Sequence, residues 1–398
     1  MAANPSIQLG TDGNWAIKED NLLAYKKDGT RFFNKEFDFT RNTTATFVDQ
    51  NGLIQESATN TPRIDFTDDA TGHLLLEPQS TNLVTDSAGG SYGNNPSSEI
   101  LTTAPDGTNT AVRPVPDSTS DRYQYSVSGG SYATDSKLTY TWYRKRISTP
   151  NNTQYTGDLH FNLLVNCTQI GSTTEIASNI NGYDRFSATF NITDGSLETL
   201  IRAYFGPSIG VGNSSIAYWG HQIEALSYST SLIQTNGSIA TRNAEVCNNS
   251  GSAQDFNSEE GVLYAEIAAL ADDNTFRMIS ISDGTNDNRV RINYSATSQL
   301  IQSRVVTSGV SQAEINKFGF TDITDLTKIA LSYKQDEVKF YINGDLIGTD
   351  TNATMPAADT FNVLNFDGSS SGAFYGKTKN LKVFKRAMSD EELQQLTT

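Results

Sequence analysis

The chain is poor in the residues on which most metal and nucleophilic chemistry depends. Its 398 residues include two cysteines, three histidines, three tryptophans and four methionines. Cys167 and Cys247 lie far apart with no C-x-x-C or Cys/His cluster, so a zinc site is not expected, and two buried thiols are expected ahead of a disulfide. His73, His160 and His221 form no H-E-x-x-H pair, which excludes a zincin motif. Each is expected at the surface or at a strand edge. Positive charge is scarce as well: 29 Lys and Arg stand against 45 Asp and Glu, a formal net charge of −16. With no basic run, nucleic-acid binding is disfavoured. No stretch approaches the ~20 apolar residues of a membrane span, so membrane insertion is not expected. The opening MAANPSIQLGTDGNW lacks the basic and apolar regions of a signal peptide, which implies synthesis in a cytoplasm.

What the chain does have is short alternating strands. Only 36% of residues are hydrophobic and mean hydropathy is −0.43, yet 19 Phe and 17 Tyr suit thin cores of aromatic and β-branched side chains. Runs such as KLTYTWYRKRI (137–147), RFSATFNI (185–192), VLYAEIAAL (262–270), RVRINYS (289–295) and KIALSYK (328–334) are separated by Gly, Asn, Asp and Ser. That spacing predicts β-sandwiches. In KFYINGDLIGTD, Asn343-Gly344 tolerates the positive φ angles of a type I′ turn and predicts a hairpin. Near the end, Ser389 followed by Glu392 reads as a capping box opening a short helix.

The expected class is therefore all-β: two β-sandwich domains with an N-terminal arm and a short C-terminal helix. Residues 1–85 read as the arm, whose apolar Phe47, Leu53 and Ile54 are expected to pack on a partner. Residues 86–245 read as the first sandwich and 250–398 as the second, joined by the polar NNSGSAQDFNSEEG.

Candidate chemistry is sparse. GGSYG (89–93) and GPSIG (206–210) match the nucleophile-elbow pattern, but neither Ser91 nor Ser208 is followed by a helix, so no esterase is expected. A glycosidase needs two carboxylates flanking the scissile bond. EFDFTR (36–41) supplies half of an E-x-D-x-x-E pattern and then ends in Arg41; acids brought together from distant strands would be needed. Asp272, Asp273 and Asp283 lie in Gly/Asn/Ser-rich turns, where they are solvated turn acids or calcium ligands. Sugars stack their C–H faces on aromatic rings, and Tyr143, Tyr218, Tyr375 and Asn365 are the candidate glycan-binding residues. Alternation places one ring of Trp142/Tyr143 and one of Tyr218/Trp219 inward, with Trp219 expected in the core beside Ala217 and Ile223.

Two resemblances extend this reading. KIALSYKQDEVKFYINGDLIG and LNFDGSSSGAFYGKTKNLKVFKRAMSDEELQQL closely resemble the laminin-G or concanavalin-A-like lectin family over roughly the last 150 residues. An acidic pair often precedes the V-x-x-F/Y strand in that family; here Lys379-Asn380 stands in its place. FTRNTTATFVDQNGLIQESATNTPRIDF (39–66), GHLLLEPQSTNLVTDS (72–87) and YWGHQIEALSYSTSLIQTNGSIATRNAE (218–245) are similar to segments that recur in that order in bacteriophage tail-fibre and head-fibre proteins, around a carbohydrate-binding-module-like sandwich. Together the resemblances imply two sandwiches of jelly-roll, lectin-like type in a virion protein on the phage particle surface, with residues 1–85 as its N-terminal attachment arm, for particle attachment or subunit packing; it would be homo-oligomeric and commonly trimeric, with other virion proteins and bacterial surface polysaccharide as partners. Its expected role is non-catalytic receptor binding and host attachment through glycan. The alternative is a structural head or tail decoration or adaptor protein that contacts virion proteins without binding sugar.

Overall fold

In the computed structural model, which describes residues 4–13, 15, 17–18, 21–28, 31–88, 98–115, 123–128, 132–147, 159–163, 167–196, 200–205, 216–297, 299–368 and 372–398, antiparallel strands make up nearly all regular structure. Asn343 and Gly344 adopt φ of 48° and 86°, the pair of positive angles a type I′ turn requires. Glu337–Ile342 thus folds back on Asp345–Asp350, with Ile342 opposite Asp345.

That hairpin edges a large sheet, which continues through Thr327–Lys334, Glu260–Ala269 and Gly376–Phe384. A five-stranded sheet forms the facing layer, in the order Val310–Lys317, Ile301–Thr307, Arg289–Tyr294, Arg277–Ser282 and Val363–Asn365. Alternation turns Val290, Ile292 and Tyr294 inward against Leu263, Leu331 and Phe340, each contributing roughly 1.5–3 kcal/mol by burial. The helix Asp390–Thr397 covers the other face of the large sheet, with Leu393 and Met388 in one apolar cluster with Tyr264, Tyr341 and Phe384. Its capping box forms: Glu392 N donates to Ser389 Oγ at 3.3 Å and Ser389 N to Glu392 Oε2 at 3.0 Å.

The arm does not stand apart. Ile7–Leu9 pairs with Gly376–Phe384, Ile7 opposite Val383, and His73–Leu76 pairs with the same strand at Gly376. The hairpin of Ala45–Val48 and Ile54–Ser57 instead lies on the middle domain, where Val48 and Ile54 join Leu232, Tyr143 and Trp219 in one cluster. Ile54, expected to seek a partner, finds it within its own chain.

The middle domain is a six-stranded sheet, Ser98–Thr102, Ala111–Val115, Ile216–Glu224, Lys137–Arg146, Tyr183–Ile192 and Cys167–Ile180 in order, with a separate three-stranded sheet of Tyr123–Ser128, Leu200–Phe205 and Leu159–Leu163. Both faces of its central strands are covered. Tyr140, Trp142 and Tyr218 fill one core, Tyr143 and Trp219 the other. Trp219 is in the core as expected; the expectation of one inward ring per pair is corrected, because the arm hairpin and Leu232 seal the second face. Gly220, at φ 66°, lets the strand pass Tyr143 so closely that an added Cβ would meet its ring at 2.5 Å. Cys167 and Cys247 are both buried, in different cores.

Candidate functional site

Between the arm and the last residues of the middle domain, charged side chains are buried in an ion-pair network. Arg41, the residue that broke the acid pattern of EFDFTR, donates through Nη1 to Glu245 Oε1 at 2.7 Å. Arg63 donates to both Glu245 oxygens, at 2.9 Å from Nε and 2.5 Å from Nη2, and to Glu77 Oε2 at 2.9 Å. Arg242 Nη1 lies 2.8 Å from Glu77 Oε2. A buried charge is tolerable only when so paired. Burial alone would raise the Glu77 carboxyl, but Arg242 and Arg63 hold it down at about 2. Burial likewise would lower Arg63, and Glu245 and Glu77 outweigh it to raise its pKa. Nearby Asn82 makes four hydrogen bonds, donating to His221 O and Ile233 O and accepting from Val84 N and Ile223 N.

Beside this network opens a cleft of about 430 Å³ lined by all three parts of the chain, a volume in the usual range for small-ligand sites, which favour domain interfaces. Half-buried Phe47 and Tyr228 line it. Buried Tyr143, Arg185 and His73 line it too, with hydroxyls from Thr174, Ser187, Thr189, Ser227 and Ser229. The Arg185 guanidinium carbon lies 5.3 Å from the Tyr143 ring centre, and its Nη2 donates to Thr141 Oγ1 at 3.1 Å and to Thr230 O at 2.8 Å. Arg185 Nε and both ring nitrogens of His73 have no hydrogen-bond partner. Burial keeps the His73 pKa below its ordinary value, with Asp65 pulling the other way.

The acids and the histidine of the cleft are engaged elsewhere or isolated from one another. His73 Nε2 is 3.9 Å from Asp65 Oδ1, beyond hydrogen-bond range, and no hydroxyl is bonded to either nitrogen, so no nucleophile is activated. Asp65 accepts the N–H groups of Val48 and Thr67, both at 2.9 Å, and Asp68 pairs with Lys377. Glu77, ionised down to about pH 2, is unsuited to the general-acid role, which needs a raised pKa.

The sequence-predicted site residues are not brought together. Tyr143 lines the cleft but is 3% exposed, and burial raises its pKa. Tyr218, expected at the surface, is 1% exposed on the opposite face of the same sheet. Asn365 is also buried, and its Oδ1 accepts Asn249 N at 2.7 Å. These burials correct the surface assignment. Tyr375 is half-buried in the C-terminal sandwich. Asp273 bonds Thr275 N and Arg277 Nη2, the latter at 2.7 Å. Asp283 accepts from Thr285 N, Thr285 Oγ1 and Asn288 Nδ2, at 2.8, 2.6 and 2.8 Å; both acids close their own turns. Asp272 is exposed, and among the described residues no group of three or more His, Cys, Asp or Glu is placed to hold a metal ion. Two of the histidines expected at the surface are buried, His73 at 1% and His221 at 0% exposure. His221 Nδ1 shares a 2.5 Å hydrogen bond with Tyr140 OH, and burial pushes its pKa down to about 3. Where the lectin family often has an acidic pair, Lys379 pairs with Asp69, and Asn380 Oδ1 accepts Thr11 Oγ1 at 3.0 Å. Ser91 and Ser208 lie outside the described residues.

No curated protein matches the chain. Among solved structures, the CBM40 of the Ruminococcus gnavus IT-sialidase bound to α2,3-sialyllactose is similar at 16% identity and a TM-score of 0.32, over 38% of this chain and 94% of that one. Domain 4 of a GH43 extracellular arabinanase from Geobacillus stearothermophilus, in complex with arabinotriose, is similar at 15% identity and a TM-score of 0.30, over 39% and 73%. For sheep galectin-11 in complex with glycerol the values are 10%, 0.24, 31% and 90%. Residues 250–394 match the model of the family described as the Concanavalin A-like lectin/glucanases superfamily. That segment coincides with the two facing sheets and helix of the C-terminal sandwich, which has a lectin-like fold.

Proposed function

We propose that the protein is a non-catalytic glycan-binding protein displayed on a bacteriophage particle, where it attaches to polysaccharide on the bacterial surface. The observation that carries the binding role is the three-part cleft: aromatic rings beside a hydroxyl-rich lining and unpaired donors, with every acid already engaged. Rings take the C–H face of a sugar and the polar groups fix its hydroxyls. The virion role rests on the likeness of residues 39–66, 72–87 and 218–245 to fibre proteins. It is supported by where those segments meet. Arg41 and Arg63 come from the first, Glu77 from the second, Arg242 and Glu245 from the third, and together they make the buried network. The spaced motifs are thus one three-dimensional unit. Assembly as a homo-oligomer, a trimer in fibre proteins of this kind, would raise weak single-site affinity through avidity.

The alternative, a decoration protein contacting only virion neighbours, is favoured by Val310, Phe318 and Leu346, which are 61%, 65% and 49% exposed on the C-terminal sandwich. Incubating purified protein with whole host cells and free extracted glycan separates the two. Saturable binding competed by sugar supports attachment. Absence of cell binding, with normal incorporation into particles, supports decoration, and release of reducing ends would refute a purely binding role.

A further inference from the structure

The five-stranded sheet gathers three guanidinium groups on its outer face and sets one acid of its own, Glu314, opposite one of them, Arg304. Its inner face is apolar, with Ile279, Ile281, Val290, Ile292 and Val305 buried in the core. Alternation therefore turns Arg289, Arg291 and Asn293 on one strand, and Gln302 and Arg304 on the next, to the outer face. In register, Arg291 lies directly opposite Arg304, and Asn293 opposite Gln302. Like charges so placed repel. Arg289 adds a third guanidinium two residues before Arg291. In a chain of net charge −16, the one acid within ion-pair distance of these three, among the described residues, is Glu314, 3.4 Å from Arg304. Ser311 Oγ also accepts from Arg304 Nε, at 3.0 Å.

Two more observations point to the same patch. Arg291 is 6% exposed and lies over the Phe276 ring, 5.1 Å from its centre, which fixes the guanidinium plane. Its hydrogen bond from Nη2 to Gln302 Oε1 is long at 3.4 Å, and its Nε has no partner. Asn293, 1% exposed, has neither its amide nitrogen nor its oxygen hydrogen-bonded. Buried polar groups left so are rare and call for an explanation. Burial, then Arg289 and Arg304, push the Arg291 pKa down to about 10, the direction expected of a cation lacking its anion.

We propose that this outer face is a second binding site that takes the carboxylate of an acidic sugar between Arg291 and Arg304, with Gln302 and Asn293 turning toward neighbouring hydroxyls. A guanidinium fork matches a carboxylate in bidentate geometry. The amides suit hydroxyls. The chain's net negative charge opposes nucleic acid. The site lies apart from the cleft and does not depend on it.

The test is calorimetric titration of the whole protein with a galacturonic acid oligomer, the same oligomer methyl-esterified, inorganic sulfate, and a short DNA duplex, at low and high salt. The acid oligomer binds saturably and more weakly as salt rises; the ester, sulfate and DNA bind at least about tenfold more weakly. R291Q and R304Q each lower affinity for the acid oligomer about tenfold or more, whereas Phe47→Ala in the cleft leaves it unchanged. Without ligand, R304Q unfolds at the same or a higher temperature, since one repelling charge is gone; a merely structural arginine would lower it. Equal binding of acid and ester, sulfate or DNA binding as tightly, wild-type affinity in R291Q and R304Q, or loss of uronate binding in Phe47→Ala would each overturn the proposal. The cleft reading is judged separately, by neutral glycan.

Discussion

Replacing Glu245 with Gln probes the junction most sharply. Its carboxylate accepts four hydrogen bonds, from Arg41 Nη1, Arg63 Nε, Arg63 Nη2 and Glu77 N, and its side chain is 0% exposed. Gln keeps the shape but removes the charge and turns an NH₂ toward a donor. Arg41, whose pKa burial already lowers, then loses its neutralising partner. Removing one member of a buried pair costs about 3–5 kcal/mol, a large share of the ~5–15 kcal/mol that stabilises a domain. Urea unfolding followed by the buried Trp142 and Trp219 reports on the domain next to the network. With a slope of about 2–3 kcal/mol/M, the midpoint falls by about 1–2.5 M. As a control, half-exposed Glu337 pairs with Lys334 at 3.0 Å and with Lys339 at 3.5 Å, and Glu337→Gln should cost less than about 1 kcal/mol. If Glu245→Gln shifts the midpoint no more than that control, the network does not hold the arm to the middle domain.

Other expectations follow from the same geometry. His221 has a folded pKa near 3 against about 6.5 unfolded, so the unfolded chain takes up a proton first as pH falls. The stabilisation is complete above about pH 6.5 and declines below it, by about 2 kcal/mol between pH 7 and pH 5. His221→Gln should flatten the stability–pH curve over that range by this amount; an unchanged slope would contradict a buried neutral imidazole. Gly220→Ala forces a side chain into φ 66° and against Tyr143. It should cost more than about 2 kcal/mol in chemical unfolding, and a neutral effect would refute the close approach.

Local features were legible because a few adjacent residues decide them. Asn343-Gly344 specifies its turn, and Ser389 with Glu392 specifies the helix start, whatever the rest of the chain does. Burial was only half legible. Period two says that Trp142 and Tyr143 face opposite ways, but not that both faces are covered; the cover comes from Val48, Ile54 and Leu232, distant in sequence. Tyr218 looked like a surface ring for the same reason. The ion-pair network is assembled across 204 residues from Arg41 to Glu245 and the cleft from segments between Thr46 and Lys377, and no spacing rule announces such a pairing. The one signal was Glu77, an acid closing the apolar run HLLL before Pro78, where a strand end turns into the junction. Two of the three outer arginines were hidden in RVRINYS, which reads as an ordinary half-exposed strand until register sets Arg291 opposite Arg304 of Ile301–Thr307.

Glycan binding in the cleft is tested by comparing wild type with Phe47→Ala and Tyr228→Ala on an array of neutral bacterial-surface glycans. Both rings line the cleft and are half-buried, and each stacked ring contributes about 0.5–1.5 kcal/mol beyond the area it buries. Saturable wild-type binding that weakens by roughly threefold to tenfold in each variant, with unfolding midpoints unchanged, is the predicted result. Wild-type binding that neither substitution reduces, or no binding to any glycan, would contradict it.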